Sequence, residues 1–252
     1  MSLEPLTLLA DNPRWIAVDK PPGIAAIPAR DEAPEESLRH RLQQQLGVPL
    51  WVVHRIDRET SGVMIYARDA QAHRALNLAF QRGQVAKTYL AWTAGVPDPA
   101  SGQIAVPLHA ARKGKMRPAT PGEPGAISAR TDYAVEQQWS LAGTPIARVR
   151  CHPRTGRQHQ IRVHLAEIGH PVVGDKLYGV DEERFIAVAE GRRSLDDLGR
   201  ELGLLRHALH ARALTLDHPR SGERLTFTAP WPAELAAIIP GPASDPSAAD
   251  PT

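Results

Sequence analysis

The stretch His54–Gly62, HRIDRETSG, places two arginines, an aspartate, a glutamate and two hydroxyls between the apolar runs Trp51-Val52-Val53 and Val63-Met64-Ile65. A carboxylate held among cations, as Asp57 is, can act as a nucleophile or as a general base. It can equally cap its own turn by accepting from the turn amides and Thr60. If the flanking strands run through the stretch, Arg55 and Asp57 project to one side and His54 and Ile56 to the other. A second polar concentration, RVRCHPRTGRQHQIRVH, carries Arg148, Arg150, Arg154, Arg157 and Arg162 with no acid before Glu167. Guanidinium groups at that density suit a phosphate backbone, or else form a solvated basic face. Residues 101–130 add Arg112, Lys113, Lys115, Arg117 and Arg130 against Glu123 alone.

Other chemistries lack their residues. Cys151, His152, His159, His164 and His170 invite a metal, but no HxxxH or CxxC occurs. His159 and His164 are five apart, about 140° around a helix and on opposite faces of a strand. No metal is therefore expected. The GxxxxGK[ST], GxGxxG and GxSxG patterns are absent as well, so no nucleotide cofactor and no common hydrolase site is expected.

The elements that must position these groups can be read in outline. The 252 residues are 42% hydrophobic and 23% charged with a net charge of +2, ordinary for a globular protein and too mildly basic to argue for nucleic acid unaided. Aromatic residues make up 5% against 23 prolines and 19 glycines, which predicts an aliphatic core with many loops. No apolar run approaches a membrane span and no signal peptide is evident. One cysteine excludes an internal disulfide and fits a reducing cytoplasm. Trp15–Val18, the two runs around HRIDRETSG, Lys87–Ala94, Ser128–Glu136, Ile146–Cys151, Leu209–Leu216 and Arg224–Ala229 read as strands, the last two as a hairpin. Helices are predicted over 34–46 with Gly47 as stop, over 70–82 ended by Gly83, and from a Thr155 cap through Ile168. Residues 101–130 read as a Gly/Pro-rich connection and 241–252 as a disordered tail. The pattern predicts an α+β fold on a mixed, mostly antiparallel sheet, with residues 1–240 as one domain.

Taken together, these segments resemble the RluA family of RNA pseudouridine synthases over nearly all of residues 5–238. IAVDKPPGIAAIP resembles the family's opening strand and turn, HRIDRETSGVMIYARD its HRLDxxTSG motif with Ile56 for the usual Leu, and KTYLAW its K-x-Y motif. RTGRQHQIRVHLAEIGHPVVGDKLYG resembles its GRxHQIRxHL motif, and HALHARALTLDHPRSGERLTFTAPWP its closing hairpin. The resemblance implies Asp57 as the catalytic carboxylate, Tyr89 as the residue stacking on the target uracil, Arg162 as the partner of Asp57, and Arg55 as filler of the space left by a flipped base. It implies an RNA-contacting set of Arg55, Arg112, Lys113, Lys115, Arg117, Arg154, Arg157 and His159. It further implies a cofactor-free isomerase acting on a ribosomal or transfer RNA stem-loop, monomeric and cytoplasmic, in the form without the family's optional S4-type domain. The readings from other classes are a non-catalytic RNA-binding protein, in which Asp57 only caps its turn, and a metal-dependent nuclease or glycosidase using Asp57 with Glu59.

Overall fold

The computed structural model describes residues 4–28, 36–120, 122–141, 144–179, 204–218 and 221–237, with the isolated positions 33, 187 and 192. The predicted tail at 241–252 lies outside them. Among the described residues one sheet of ten strands organises the molecule. Its path runs β1 (Leu8–Asn12), β2 (Trp15–Lys20), β4 (Ser61–Ala67), β11 (Leu209–Asp217), β5 (Ala86–Ala94), β10 (Thr144–Pro153), β9 (Thr131–Leu141) and β6 (Ser101–Ile104). The short β3 (Trp51–Val52) pairs with β4, and β12 (Arg224–Thr228) with β11. The β4–β11 pairing is parallel and the other pairings in the sheet are antiparallel. The fold is α+β on a mixed, mostly antiparallel sheet.

Strand β4 explains its own composition. All seven residues of SGVMIYA are buried. Val63, Ile65 and Ala67 pack into one core with Leu76, while Met64 and Tyr66 pack on the other face with Leu38 and Leu42. A strand covered on both faces needs no polar alternation. The covering helices are α1 (Leu38–Leu46) and α2 (Ala70–Gln81). Ser37 Oγ accepts from the His40 amide and Asp69 from the Ala72 amide, satisfying orphan donors at each start. The Ser37 cap starts α1 later than the predicted Pro34.

At the parallel seam His210 aligns with Ser61 and Ala211 with Gly62. Gly62 has φ +112°, and a Cβ there would stand 2.2 Å from the Ala211 carbonyl oxygen. Only glycine lets the two halves of the sheet meet there.

Four sequence expectations are corrected. Residues 53–60 form a loop, not a continuation of strands, because β4 begins only at Ser61. Residues 101–130 contain β6 and a separate hairpin of β7 (Leu108–Ala110) and β8 (Met116–Pro118), whose Leu108 and Met116 reach a small core with Val163 and Tyr178. The third helix, α3 (Gln160–Glu167), starts after His159 in a left-handed conformation, φ +55°. Thr155 does not cap it: its hydroxyl donates to Gln160 Oε1 and accepts from the Arg130 amide. Nor are the arginines of 148–154 unpaired. Glu136 on the adjacent β9 bonds both Arg148 and Arg150, and Asp132 bonds Arg154. Sequence distance hid acids that the β9–β10 pairing brings alongside.

Candidate active site

The 53–60 loop enters an open cleft of about 570 Å³ lined by Asp57, Tyr89, Arg157, His159, Arg162 and Phe80, among others. Three elements build it. The loop is fixed by Ile56, buried among Leu38, Leu42 and Met64, and by His54, whose Nε2 accepts from the Ile65 amide at 3.0 Å while its ring stacks on Phe80. Burial, followed by the charge of Lys87, lowers the His54 pKa to about 3. The ring is neutral and serves as an acceptor, not an RNA-binding cation. With its neighbours anchored inward, Asp57 is left facing the cleft, its side chain 23% exposed.

Helix α3 supplies the partner. Arg162, with a side chain 5% exposed, donates from Nη1 to Asp57 Oδ2 at 2.9 Å. Its other edge is held by Asp175: Nε to Oδ2 at 2.6 Å and Nη2 to Oδ1 at 2.8 Å. Burial opposes the guanidinium charge, but Asp175 and then Asp57 outweigh it, and the Arg162 pKa is raised. Strand β5 brings Tyr89, aligned with Cys151 on one side and Ala211 on the other. Burial and then the Asp57 charge push its phenol above the ordinary range, so Tyr89 presents a neutral hydroxyl on an apolar ring.

The acidic turn itself is clamped from behind. Glu59 Oε1 accepts from Lys176 at 2.8 Å, and Thr60 Oγ1 shares a hydrogen with His207 Nε2 at 2.8 Å. Arg206 donates to the Glu59 carbonyl, to Ser61 Oγ and to Glu234. Lys20, wholly buried, donates to the carbonyls of Pro21 and Arg58, both at 2.8 Å. Burial, then the Arg206 charge, lowers its pKa to about 7. Glu59 is thus a strut of the turn, bonded to Lys176 and not shared with Asp57.

The remaining sequence candidates divide. Arg55 is exposed on the cleft rim, without a hydrogen bond or ion pair among the described residues. Arg157 lines the cleft and donates to the Ser128 carbonyl, and Arg154 lines it while paired with Asp132. His159 stands beside the carboxylate, its Nε2 4.0 Å from Asp57 Oδ2 and its Nδ1 2.7 Å from Tyr178 Oη. Arg112, Lys113, Lys115 and Arg117 ride on the β7–β8 hairpin, outside the cleft lining. Arg117 is bonded to Glu123, and Lys115 lies over the Tyr178 ring at 5.5 Å. Among the residues that the sequence did not single out are Lys20, Asp175, Lys176, Tyr178, Arg206 and His207. A signal for Asp175 existed, since it is the first acid after Glu167 in an arginine-rich segment.

A carboxylate in an open cleft, held by a buried guanidinium beside a tyrosine on a mixed sheet, fits uridine isomerisation in RNA. Comparisons with known proteins agree. The family described as RNA pseudouridylate synthase matches residues 14–167. The dual-specificity RNA pseudouridine synthase RluA of Escherichia coli K12 is 34% identical over 225 residues, covering 89% of this chain and 93% of that protein. An uncharacterized RNA pseudouridine synthase of Mycobacterium bovis is 32% identical over 249 residues, 93% of this chain and 72% of its own length. The structure of human RNA pseudouridylate synthase domain containing 1 superposes with a TM-score of 0.71 at 25% identity, covering 91% of this chain and 85% of that one. The chain belongs to the RluA family of RNA pseudouridine synthases. It is an isomerase that converts uridine in RNA to pseudouridine.

Proposed function

We propose that Asp57 is the reactive carboxylate, that Arg162 keeps it charged and aimed, and that Tyr89 packs against the target uracil. The observation that carries this reading is the Arg162–Asp57 contact of 2.9 Å, facing a cleft wide enough for a nucleotide. In the reaction the N1–C1′ bond breaks, the base turns, and C5 bonds to C1′. C5 loses its proton and N1 gains one, so nothing is oxidised or hydrolysed. Asp57 serves this by attacking C1′ or by removing the C2′ proton. A primary isotope effect with 2′-deuterated uridine would assign the second act, and its absence the first. Reaching the base requires it to leave its stack, at a cost of a few kcal/mol that is smaller in a loop. Exposed, and without a hydrogen bond or ion pair among the described residues, Arg55 is long enough to fill the space left behind.

The substrate we propose is a stem-loop of ribosomal or transfer RNA, recognised through shape and loop bases by a monomer in the cytoplasm. In this reading Arg154, Arg157 and His159 contact RNA at the cleft, and Arg112, Lys113, Lys115 and Arg117 do so from the hairpin. The dual specificity named for the Escherichia coli relative supports testing both RNA classes. Asp57→Asn keeps shape and removes charge. It should form less than about a thousandth of the wild-type pseudouridine while still binding RNA, and turnover above that level would overturn the assignment. Mapping pseudouridines in total RNA from cells with and without the chain identifies the target.

A further inference from the structure

Arg162 offers two different edges. Its Nε and Nη2 meet both oxygens of Asp175, while only Nη1 reaches Asp57, through Oδ2. We propose that Asp175 is a positioning residue, one that holds the guanidinium so that it grips the reactive carboxylate by one oxygen and leaves Oδ1 to the RNA. The proposal rests on the reading of Asp57 as that reactive group.

Asp175 is built for the task. Its side chain is fully buried and accepts four hydrogen bonds, two from Arg162 and one each from the amides of Leu177 and Tyr178. Those amides belong to its own turn, so the carboxylate is pinned to backbone and cannot follow the guanidinium. The turn is placed by Gly174 at φ +77°, where a Cβ would come within 2.3 Å of the Arg206 carbonyl oxygen. Arg162 Cζ lies over the Tyr178 ring, 5.1 Å from its centroid, and the Tyr178 hydroxyl is tied to the Met116 amide and His159.

The physical reason lies in the geometry of the fork. A planar guanidinium pairs best with a carboxylate through two parallel hydrogen bonds. If Asp175 did not occupy that edge, Arg162 would turn it toward Asp57 and engage both oxygens. A carboxylate gripped at both oxygens is a poor nucleophile and a poor base. In the structure Asp57 Oδ1 has no hydrogen bond among the described residues. Two carboxylates about one guanidinium also leave the group with a net negative charge, so Arg162 orients Asp57 without cancelling it.

The test is Asp175→Asn, which keeps the shape and removes the charge. Turnover at saturating RNA should fall about tenfold or more, with RNA affinity within about twofold of wild type. Rates are normalised to the fraction of protein that binds RNA, so that loss of fold is not counted. In an Arg162→Lys background, where no two-edged fork exists, adding Asp175→Asn should change the rate little. An unchanged normalised rate for Asp175→Asn, or additive effects in the double variant, overturns the proposal. If Asp175→Asn yields no folded protein, Asp175→Glu is held to the same comparison. Asp57→Asn separates the two levels of the argument. Should it retain turnover, the reactive-carboxylate reading falls. Should it be inactive while Asp175→Asn matches wild type, only the positioning role falls.

Discussion

The stacking role proposed for Tyr89 can be tested apart from its hydroxyl. Tyr89→Phe keeps the ring, worth roughly 1–3 kcal/mol of base stacking, whereas Tyr89→Ala removes it. RNA affinity should therefore fall about tenfold or more in the alanine variant and little in the phenylalanine variant. Equal losses by filter binding would remove the stacking role. For Arg162→Met the outcome differs in kind. The substitution leaves Asp57 and Asp175 facing each other without the guanidinium between them, so Asp57 is repelled from its place. Breaking a buried pair costs roughly 3–5 kcal/mol, so both turnover and melting temperature should drop, as single-turnover kinetics and calorimetry would record. Asp57→Asn, by contrast, should cost turnover alone, because its carboxylate is partly solvated.

At the scale of elements, the β7–β8 hairpin reads differently in the structure than in the sequence. Four cations in six residues read as one phosphate clamp, but Arg117 is engaged by Glu123. Arg112 and Lys113 are exposed at the turn, with Lys113 at φ +54°. Replacing these two by serine should make the slope of log affinity against log salt shallower by up to about 1.4, at roughly 0.7 per contact. Affinities measured from low to moderate salt read this directly, and an unchanged slope would mean that the hairpin tip does not meet the backbone. The parallel seam makes a second element-scale prediction. Gly62→Ala drives a methyl into the Ala211 backbone and should destabilise the fold by more than the about 1–3 kcal/mol typical of overpacking. Thermal unfolding checks it.

Across the whole molecule, buried histidines set the acid limit. Burial lowers His54 to about 3 and His210 to about 4, and holds His207 well below its usual value. The unfolded chain takes up protons at these sites below about pH 6.5 and the folded chain does not, so stability falls as pH drops from there toward 4. Asp19 opposes this. Its pKa is raised to about 6 by burial and then by Glu234, so its contribution grows as pH falls. Set against Asp19 alone, the histidines leave a net uptake of protons on unfolding, so acid favours the unfolded chain. Lys20, at about 7 when folded, adds a separate gain in stability as pH rises from 7 toward its ordinary value of 10.5. Melting temperature should therefore fall steeply between pH 6.5 and 4.5. A flat profile there would show that the histidines are not buried as neutral rings.

What the sequence determined by itself was carried by local patterns. The apolar run of β4, the four-residue spacing of Leu38, Leu42 and Leu46, and the glycines ending α1 and α2 each act within a few residues, so strand and helix positions were legible. So was the pairing of motifs, because the residue types around Asp57, Tyr89 and Arg162 resemble one family in order. Tertiary structure alone decided which acids meet which arginines. Glu136 reaches Arg148 and Arg150 only through the β9–β10 pairing, and Asp175 reaches Arg162 only because a tight turn folds back under α3. It also decided that Glu59 points to Lys176, that His54 is a neutral acceptor and not a cation, and that Gly62 is a seam between strands 149 positions apart in the Ser61–His210 contact. Charge partners and close backbone approaches depend on distances in space. Sequence spacing constrains those distances only within an element, which is why the polar loop around Asp57 stood out in the chain and the charge frame that holds it did not.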